Sequence, residues 1–161
     1  MVTNGLVTEG TALMRAALSA LRVTGDEEFM PHSLGLLAEA QAKLQETLQA
    51  LSLVRDALAR ATRTGERLFE ADLHRLAGDL LVALMQPDQA QECFHRAIAV
   101  ARGQGARLWE LRAATSLARL WRDQGKRADA HDLLAPVYGW FTEGFDTADL
   151  IDARALLDEL S

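Results

Sequence analysis

Residues 73–101, LHRLAGDLLVALMQPDQAQECFHRAIAVA, decide the fold class of this chain of 161 residues. In the first half the leucines recur at spacings of three and four, and in the second half Phe94, Ile98 and several alanines do the same. This period predicts two amphipathic helices. Pro87 stands between them, where proline favours the start of a helix. The stretch therefore predicts a helical hairpin.

The hairpin is repeated at an interval of 40 residues. Ala50, Ala90 and Ala130 each open the second helix of a pair. Four further columns keep the interval: Ala38, Gly78 and Ala118; Val54, Phe94 and Leu134; Ala57, Ala97 and Val137; and Gly25, Gly65 and Gly105. Small residues recur because antiparallel helices interlock only where one offers a small side chain beneath a large one of the other. The sequence therefore predicts an all-α fold, a right-handed α-α superhelix.

The predicted array is a single domain of about three hairpins with a half-repeat at each end. The half-repeat covers residues 8–25, the repeats cover about 31–65, 71–105 and 111–144, and a capping helix covers 147–160. In the half-repeat the apolar residues follow the pattern of a second helix, and they are Leu13, Met14, Ala17, Leu18 and Leu21. Since it lacks a first helix, we expect exposed apolar surface there that a preceding repeat, or a second copy of this chain, buries.

The capping helix has an apolar side and an acidic side. Its apolar side comprises Leu150, Ile151, Leu156, Leu157 and Leu160, and its acidic side comprises Asp149, Asp152, Asp158 and Glu159. Thr147 is the predicted N-cap, and a polar back suits the terminal unit of a solenoid. Gly144 is expected to end the preceding helix. The aromatic residues of the final third are expected in the core, with Trp109 the most exposed of them, and they are Trp109, Trp121, Tyr138, Trp140, Phe141 and Phe145.

The composition narrows the function classes. The chain has 17 Lys and Arg against 23 Asp and Glu, a net charge of −6, which argues against nucleic-acid binding because phosphates are bound by clustered basic residues. The single cysteine, Cys93, cannot form an intrachain disulfide, as suits a reducing compartment. No apolar run approaches the roughly 20 residues that cross a bilayer, and the start of the chain lacks a secretion signal. We therefore expect a cytoplasmic location and no membrane partner.

Two of the units resemble the tetratricopeptide repeat (TPR). One carries its signature spacings at Gly78, Leu81, Ala90, Phe94 and Ala97, and the other at Ala118, Trp121, Gly125, Ala130 and Leu134. A weaker third match runs through Leu34, Leu37, Ala38, Ala50, Val54 and Ala57. The interval alone is nearer to that of HEAT and armadillo repeats, and the small-residue columns favour the TPR.

The units depart from the TPR signature at two positions. The turn glycine is present as Gly125, whereas Gln45 and Met85 replace it in the other units. The proline that usually ends a unit is replaced by Thr62, Arg102 and Thr142. Without that proline the second helix can continue to the next glycine, which accounts for a repeat longer than the usual 34 residues.

A longer resemblance covers almost the whole chain. Residues 65–81, 113–121 and 134–150 are similar to the C-terminal TPR region of bacterial signalling proteins that join an adenylate or guanylate cyclase, or a DNA-binding output domain, to a signal-transduction ATPase. The resemblance implies a sensor or protein-binding array in signal transduction, either the tail of such a protein or an independent small relative. It implies no enzymatic activity here, because the sequence contains neither a phosphate-binding Gly-x-x-x-x-Gly-Lys-Ser/Thr loop nor a cyclase motif.

By analogy with the geometry of TPR arrays, the first helices line a concave groove that binds a peptide, a protein or a neighbouring domain. The residues expected to face it are His32, Glu39, Lys43, Asp72, Arg75, Asp79, Arg112, Thr115, Arg119 and Arg122. Arg112, Arg119 and Arg122 share one helical face. They indicate either a clamp for an acidic peptide or a C-terminal carboxylate, or a solvated face paired with aspartates. The aspartates of the second interpretation are Asp72, Asp79 and Asp123.

No residue pattern indicates catalysis, a metal or a cofactor. Cys93 and His95 are two residues apart on a helix, roughly 200° around its axis, and cannot share one ion. Glu70 and His74 form an isolated pair, and no hydrolase or zinc motif is present. We therefore predict a non-catalytic interaction module. Two alternatives stay open: a structural capping or homodimerisation module with an empty groove, and a small-molecule sensor that binds between helices.

Overall fold

The computed structural model of the chain describes residues 2–24 and 30–161, and within α1 it describes the side chains of residues 8–17, 19 and 20. The described residues form eight helices and no strand. The helices are α1 (Val2–Thr24), α2 (Met30–Lys43), α3 (Thr47–Thr64), α4 (Glu70–Ala83), α5 (Pro87–Gln104), α6 (Arg107–Asp123), α7 (Arg127–Tyr138) and α8 (Ala148–Leu160). The predicted side-chain roles of Leu18 and Leu21, and the glycine column at Gly25, lie outside the described residues.

The helices stack as hairpins. Each helix packs on the next along the chain, and the pairs α2 with α3, α4 with α5 and α6 with α7 form three successive hairpins. The first helices of the hairpins also contact one another, α2 with α4 and α4 with α6, and α8 contacts both α6 and α7. Because α8 occupies the place of a further first helix, the array extends by half a unit beyond the third hairpin. The predicted all-α superhelix is confirmed.

The core is built from the predicted columns of small residues. Ala38, Gly78 and Ala118 are buried on the first helices, as are Ala50, Ala90 and Ala130 on the second helices. A Cβ atom at Gly78 would lie 2.4 Å from Cε1 of Phe94, a ring that is itself 1% exposed. The absence of a side chain at Gly78 is therefore what lets α4 and α5 approach each other.

Left-handed residues end several helices. Gly65 and Gly105 follow α3 and α5 with φ of 75° and 65°, so the second helices do continue to these glycines. Gly125 takes the same conformation in the turn between α6 and α7. In the two earlier turns Gln45 and Met85 adopt it, with φ of 62° and 59°. A residue with a Cβ atom is less stable in this region than glycine, so these two turns carry a conformational cost.

The second helix of the third hairpin ends earlier than the position of Gly144 predicted. α7 stops at Tyr138, one residue before Gly139, so the expectation that Gly144 ends this helix is wrong. Pro136 lies in the last turn of α7 and cannot donate a backbone hydrogen bond there. Residues 139–147 then lead to α8, with Gly144 in a left-handed conformation.

The cap differs from expectation in three details. Thr147 occupies the N-cap position, but its hydroxyl donates to the carbonyl of Gly144 at 2.7 Å and does not cap α8. Ile151 is exposed, whereas Ala153 is buried with three leucines of α8. Trp140 and Phe145 are 61% and 47% exposed, not in the core, and the guanidinium of Arg107 lies 3.8 Å from the ring centre of Trp140. That cation–π contact shields one face of an otherwise solvated indole.

Within residues 2–24 and 30–161, no helix has both the length and the apolar character needed to cross a membrane.

Candidate binding groove

The first helices of the hairpins and α8 face one side of the array, which we call the inner groove. A cavity of about 350 Å³ lies in it between α2, α4, α6 and α8. Its lining residues are Glu39, Arg75, Arg112, Thr115, Ser116, Arg119, Asp149 and Asp152. A second cavity, of about 310 Å³, shares Arg75, Ser116 and Arg119 with the first and extends to Arg122 and Asp123. The inner groove is therefore continuous along α6.

Charged residues recur in the inner groove at the interval of the repeat. One column consists of His32, Asp72, Arg112 and Asp152, and a second consists of Glu39, Asp79, Arg119 and Glu159. Both columns are acidic on α4, basic on α6 and acidic again on α8. Neighbouring first helices therefore carry opposite charges, which offsets the repulsion among the arginines of α6.

Arg75 is the centre of the ion pairs on α4. Its Nε atom donates to Asp72 at 2.7 Å, and its Nη1 atom donates to Asp79 at 2.6 Å. The carboxylate of Glu39 on α2 lies 3.6 Å from its Nη2 atom. Burial disfavours the charge of Arg75, yet the three carboxylates together raise its pKa above the ordinary value. All three nitrogens of this guanidinium therefore face carboxylates of the chain itself.

The arginines of α6 pair mainly with α8. Arg112 donates from Nε and Nη2 to both oxygens of Asp149, at 2.9 and 2.8 Å, in the bidentate geometry that suits a guanidinium. Arg119 pairs with Asp152.

Arg122 pairs with the last turn of α8 and with its own neighbour. It donates to Glu159 at 2.7 Å and to Asp123 at 2.9 Å, and the hydrogen bonds to Asp123 and Glu159 raise its pKa. The second interpretation, in which the arginines of α6 pair with Asp72, Asp79 and Asp123, is therefore correct in part, because Arg122 does pair with Asp123. The other partners, however, come from the capping helix.

Opposing effects act on the carboxyl group of Asp79. Burial raises the pKa of its carboxyl group, although the charge of Arg75, a hydrogen bond with Ser116 and the charge of Arg119 all act to lower it. The Asp79 side chain is 40% exposed, so its carboxylate is stabilised by solvent as well as by these three neighbours. Asp79 therefore links α4 to α6 across the floor of the inner groove.

The other predicted groove residues lie apart from the main cavity or point inward. His32 stacks on Phe69 with ring centres 3.9 Å apart. Lys43 is exposed in the last turn of α2 and lines neither cavity of the inner groove. Thr115 touches the cavity but is buried, and its hydroxyl donates to the carbonyl of Leu111 at 2.8 Å. The hydrogen bonds and ion pairs of the main cavity therefore come from other residues and not from these three side chains.

Sequence reasoning missed four groove residues, which are Ser116, Asp149, Asp152 and Glu159. From the sequence, Asp149, Asp152 and Glu159 were expected on the solvent side of the capping helix. The sequence of α8 alone does not show that they pack against α6. A signal was present nonetheless. Continuing the two charged columns by one interval leads from Arg112 to Asp152 and from Arg119 to Glu159.

The polar side chains of the inner groove are connected by ion pairs and hydrogen bonds. No group of three or more His, Cys, Asp or Glu side chains in the described ranges is placed to hold a metal ion. His74 and Glu70 do lie together, with 4.0 Å between Nε2 and Oε1. Burial, together with the charge of Glu92, raises the pKa of the Cys93 thiol, which favours its protonated form.

Stacked helical hairpins with small-residue columns and one continuous inner groove define the class of TPR-like α-solenoids. No protein-family model matches this chain, and no curated protein matches it either. Solved structures do share the fold. A protein from Podosopora anserina with nearly identical TPR-like repeats, assigned as a kinesin light chain, superposes with a TM-score of 0.75 at 20% identity, covering 98% of this chain and 79% of that one. A variant of that protein gives a TM-score of 0.76 at 20% identity, with coverage of 98% and 78%.

A second likeness is to BtubC (BKLC) from P. vanneervenii. It superposes with a TM-score of 0.79 at 19% identity, covering 96% of this chain and 65% of that one. At these identities the likeness is one of fold. The TPR-like array is thereby supported independently of the sequence signature.

Proposed function

We propose that this chain is a non-catalytic interaction module that holds a peptide or protein segment in its inner groove. The carrying observation is the cavity of about 350 Å³ to which four helices, α2, α4, α6 and α8, each contribute side chains. A segment lying there contacts α8 and every first helix from α2 onward. Because these helices are already packed together, binding requires little ordering of the array, and several contacts contribute to the binding free energy. TPR-like repeat folds generally bind proteins or peptides, which agrees with this use of the groove.

The lining of the cavity favours a polymer over a small apolar ligand. Six of its eight lining residues carry a formal charge, as acids or arginines. Pockets for small molecules are mostly apolar with a few polar groups. The inner groove has the opposite composition and lies open along α6, which suits an extended or helical segment with several polar contacts.

The test is to obstruct the groove without changing its charge. Ser116 is half-buried and lines both cavities, so Ser116→Trp places an indole where the proposed segment lies. Ala99 is exposed on α5 and lines a different cavity on the outer side, so Ala99→Trp is a matched control. Peptides selected from a random displayed library on the unchanged protein are then titrated against both variants by calorimetry.

We expect Ser116→Trp to weaken the selected peptides at least about tenfold, the loss that accompanies one blocked hot-spot pocket. Ala99→Trp should bind them like the unchanged protein. Equal binding by Ser116→Trp, with Ala99→Trp impaired, would move the site to the outer surface. A library that yields no binder would contradict a peptide-binding role altogether.

The resemblance to cyclase–ATPase signalling proteins extends this proposal. In that setting, occupation of the inner groove would control an attached or bound signalling domain, which requires a ligand with different affinity for two states of the array. Hydrogen exchange measured with and without a selected peptide tests the premise. If the peptide leaves hydrogen exchange unchanged in every helix outside the groove, the array does not change state on binding, and the proposed control of a signalling domain is contradicted.

A second role, self-association through α1, is favoured by one observation. Leu13 is 72% exposed, and exposed alanines at 12, 16, 17 and 20 continue a mainly apolar face on the same helix. Met14 on the other side packs against the core. Light scattering at high protein concentration should show a dimer that Leu13→Glu abolishes. Leu68→Glu, at an exposed leucine before α4, is the control and should leave the mass unchanged.

A further inference from the structure

The geometry points to a cationic peptide segment as the occupant of the inner groove, an inference that rests on the proposed function. It reverses the charge that the arginines of α6 suggest when α6 is considered alone. Three features carry it: the balance of charge across the whole groove, the use of each guanidinium within the chain, and the side of each ion pair that faces solvent.

The balance is acidic. Four arginines on α4 and α6 pair with seven carboxylates from α2, α4, α6 and α8. The arginines are Arg75, Arg112, Arg119 and Arg122, and the acids are Glu39, Asp72, Asp79, Asp123, Asp149, Asp152 and Glu159. The acids of this ion-paired set therefore outnumber its arginines by three, and the excess lies around the main cavity, whose own lining has three arginines and three acids.

The arginines are already engaged. Arg75 directs all three guanidinium nitrogens at carboxylates, and Arg112 binds both oxygens of Asp149. At Arg112 a carboxylate ligand would have to share the guanidinium with Asp149, and it could reach Arg75 only by displacing one of the acids fixed on α2 or α4. The displaced acid would then remain beside the ligand and repel it.

The carboxylates lie nearer to solvent than most of their partners. Glu159 is 57% exposed against 29% for Arg122, and Asp152 is 52% exposed against 41% for Arg119. Arg75 is 17% exposed, well below Asp79 and Glu39. Only Arg112 is slightly more exposed than its partner, Asp149. Lysine or arginine side chains of a ligand can therefore add to these acids without breaking any internal pair.

Three fluorescent peptides that differ in charge alone provide the test. One carries several lysines in an alanine and glutamine background, one has glutamates at the same positions, and one has serines there. The groove variant is Asp152→Asn with Glu159→Gln, at the two exposed acids of α8. The control is Glu92→Gln with Asp132→Asn, which makes the same change of net charge on the outer helices α5 and α7.

Fluorescence anisotropy should show binding of the lysine peptide, weakening as salt rises. The groove variant should lose up to about fivefold in affinity for each acid removed, and the control variant should match the unchanged protein. Circular dichroism establishes that both variants fold. Equal loss in the two variants would reduce the effect to overall charge and overturn the inference.

The test separates this inference from the proposed function. Preference for the glutamate peptide, lost on Ser116→Trp, would overturn the cationic ligand while leaving the groove as the binding site. Failure of the lysine peptide to bind would also overturn the inference. Library peptides that bind in a Ser116-dependent manner but lack excess lysine and arginine would do the same.

Discussion

Gly78→Ala is the substitution that most directly tests how the hairpins pack. An added Cβ atom would lie 2.4, 2.6 and 2.8 Å from three ring carbons of Phe94. Carbon atoms in contact normally sit roughly 3.5–4.0 Å apart, so the nearest pair is more than about 1 Å too close. The ring is 1% exposed, so the added methyl group must displace the ring within the core or push α4 and α5 apart.

The magnitude follows from two opposing terms. Overpacking a filled core costs about 1–3 kcal/mol, and three contacts below normal distance place this site in the upper part of that range. Replacing glycine by alanine inside a helix returns about 1 kcal/mol through helix propensity. The net loss in the free energy of unfolding should be about 1–2 kcal/mol, measured by urea denaturation followed by circular dichroism.

Two further variants make the result decisive. Gly103→Ala lies inside α5 with no atom within 4 Å of the added Cβ, so it should keep or slightly raise stability. Combining Gly78→Ala with Phe94→Leu should recover part of the loss, because the smaller side chain leaves room for the methyl group. A Gly78→Ala protein as stable as the unchanged one would refute the close approach of α4 and α5.

Three other predictions address the turns, the pH dependence and the cap. Met85→Gly should stabilise the chain by about 0.5–1 kcal/mol in thermal unfolding, because glycine accepts the left-handed turn conformation without strain; a lower midpoint would contradict this. Burial, with the charge of Arg96, lowers the pKa of His74 in the folded state. The unfolded chain therefore binds the extra proton, and stability should fall as pH drops below about 6.5. His74→Gln should show a shallower fall in urea titrations at successive pH values, and an unchanged slope would exclude His74 as its source. Asp149→Asn should cost about 1 kcal/mol by breaking the bidentate pair with Arg112, and a melting curve identical to that of the unchanged protein would deny α8 this anchor.

The fold was predictable because packing between helices imposes residue size at fixed intervals. Where Gly78 meets Phe94, only a hydrogen atom fits, and the equivalent positions in the other two hairpins hold the small buried residues Ala38 and Ala118. Local exceptions escaped prediction where a neighbour outside the pattern decides the outcome. Trp140 is 61% exposed and packs one face against Arg107, and α7 ends at Tyr138 although Gly144 is the next left-handed residue. Neither contact belongs to a repeated column.

The inner groove was predicted by position but not by pairing. The first helices and most of their groove residues were named, since equivalent positions of a repeat face the same way. The partners of the α6 arginines were assigned wrongly in part, because a charged helix face is judged from its own sequence. Arg112 and Asp149 belong to different columns, so the 40-residue interval alone does not join them.

The missing rule is the stagger between neighbouring first helices. Glu39 meets Arg75 on the next first helix 36 residues later, whereas Arg112 meets Asp149 at an interval of 37 residues, as Arg122 meets Glu159. These three intervals are shorter than the repeat by about one helical turn, so these contacts join residues that lie one turn apart in register. The 40-residue repeat identifies equivalent positions in the hairpins. These contacts between neighbouring first helices are found by subtracting this offset from the repeat interval. Applied to α6 and α8, the offset joins Arg112 to Asp149 and Arg122 to Glu159, whereas Arg119 meets Asp152 at an interval of 33 residues, about two turns short of the repeat. In all three pairs a basic residue of α6 meets an acidic residue of α8, which is why the arginine face is neutralised within the chain.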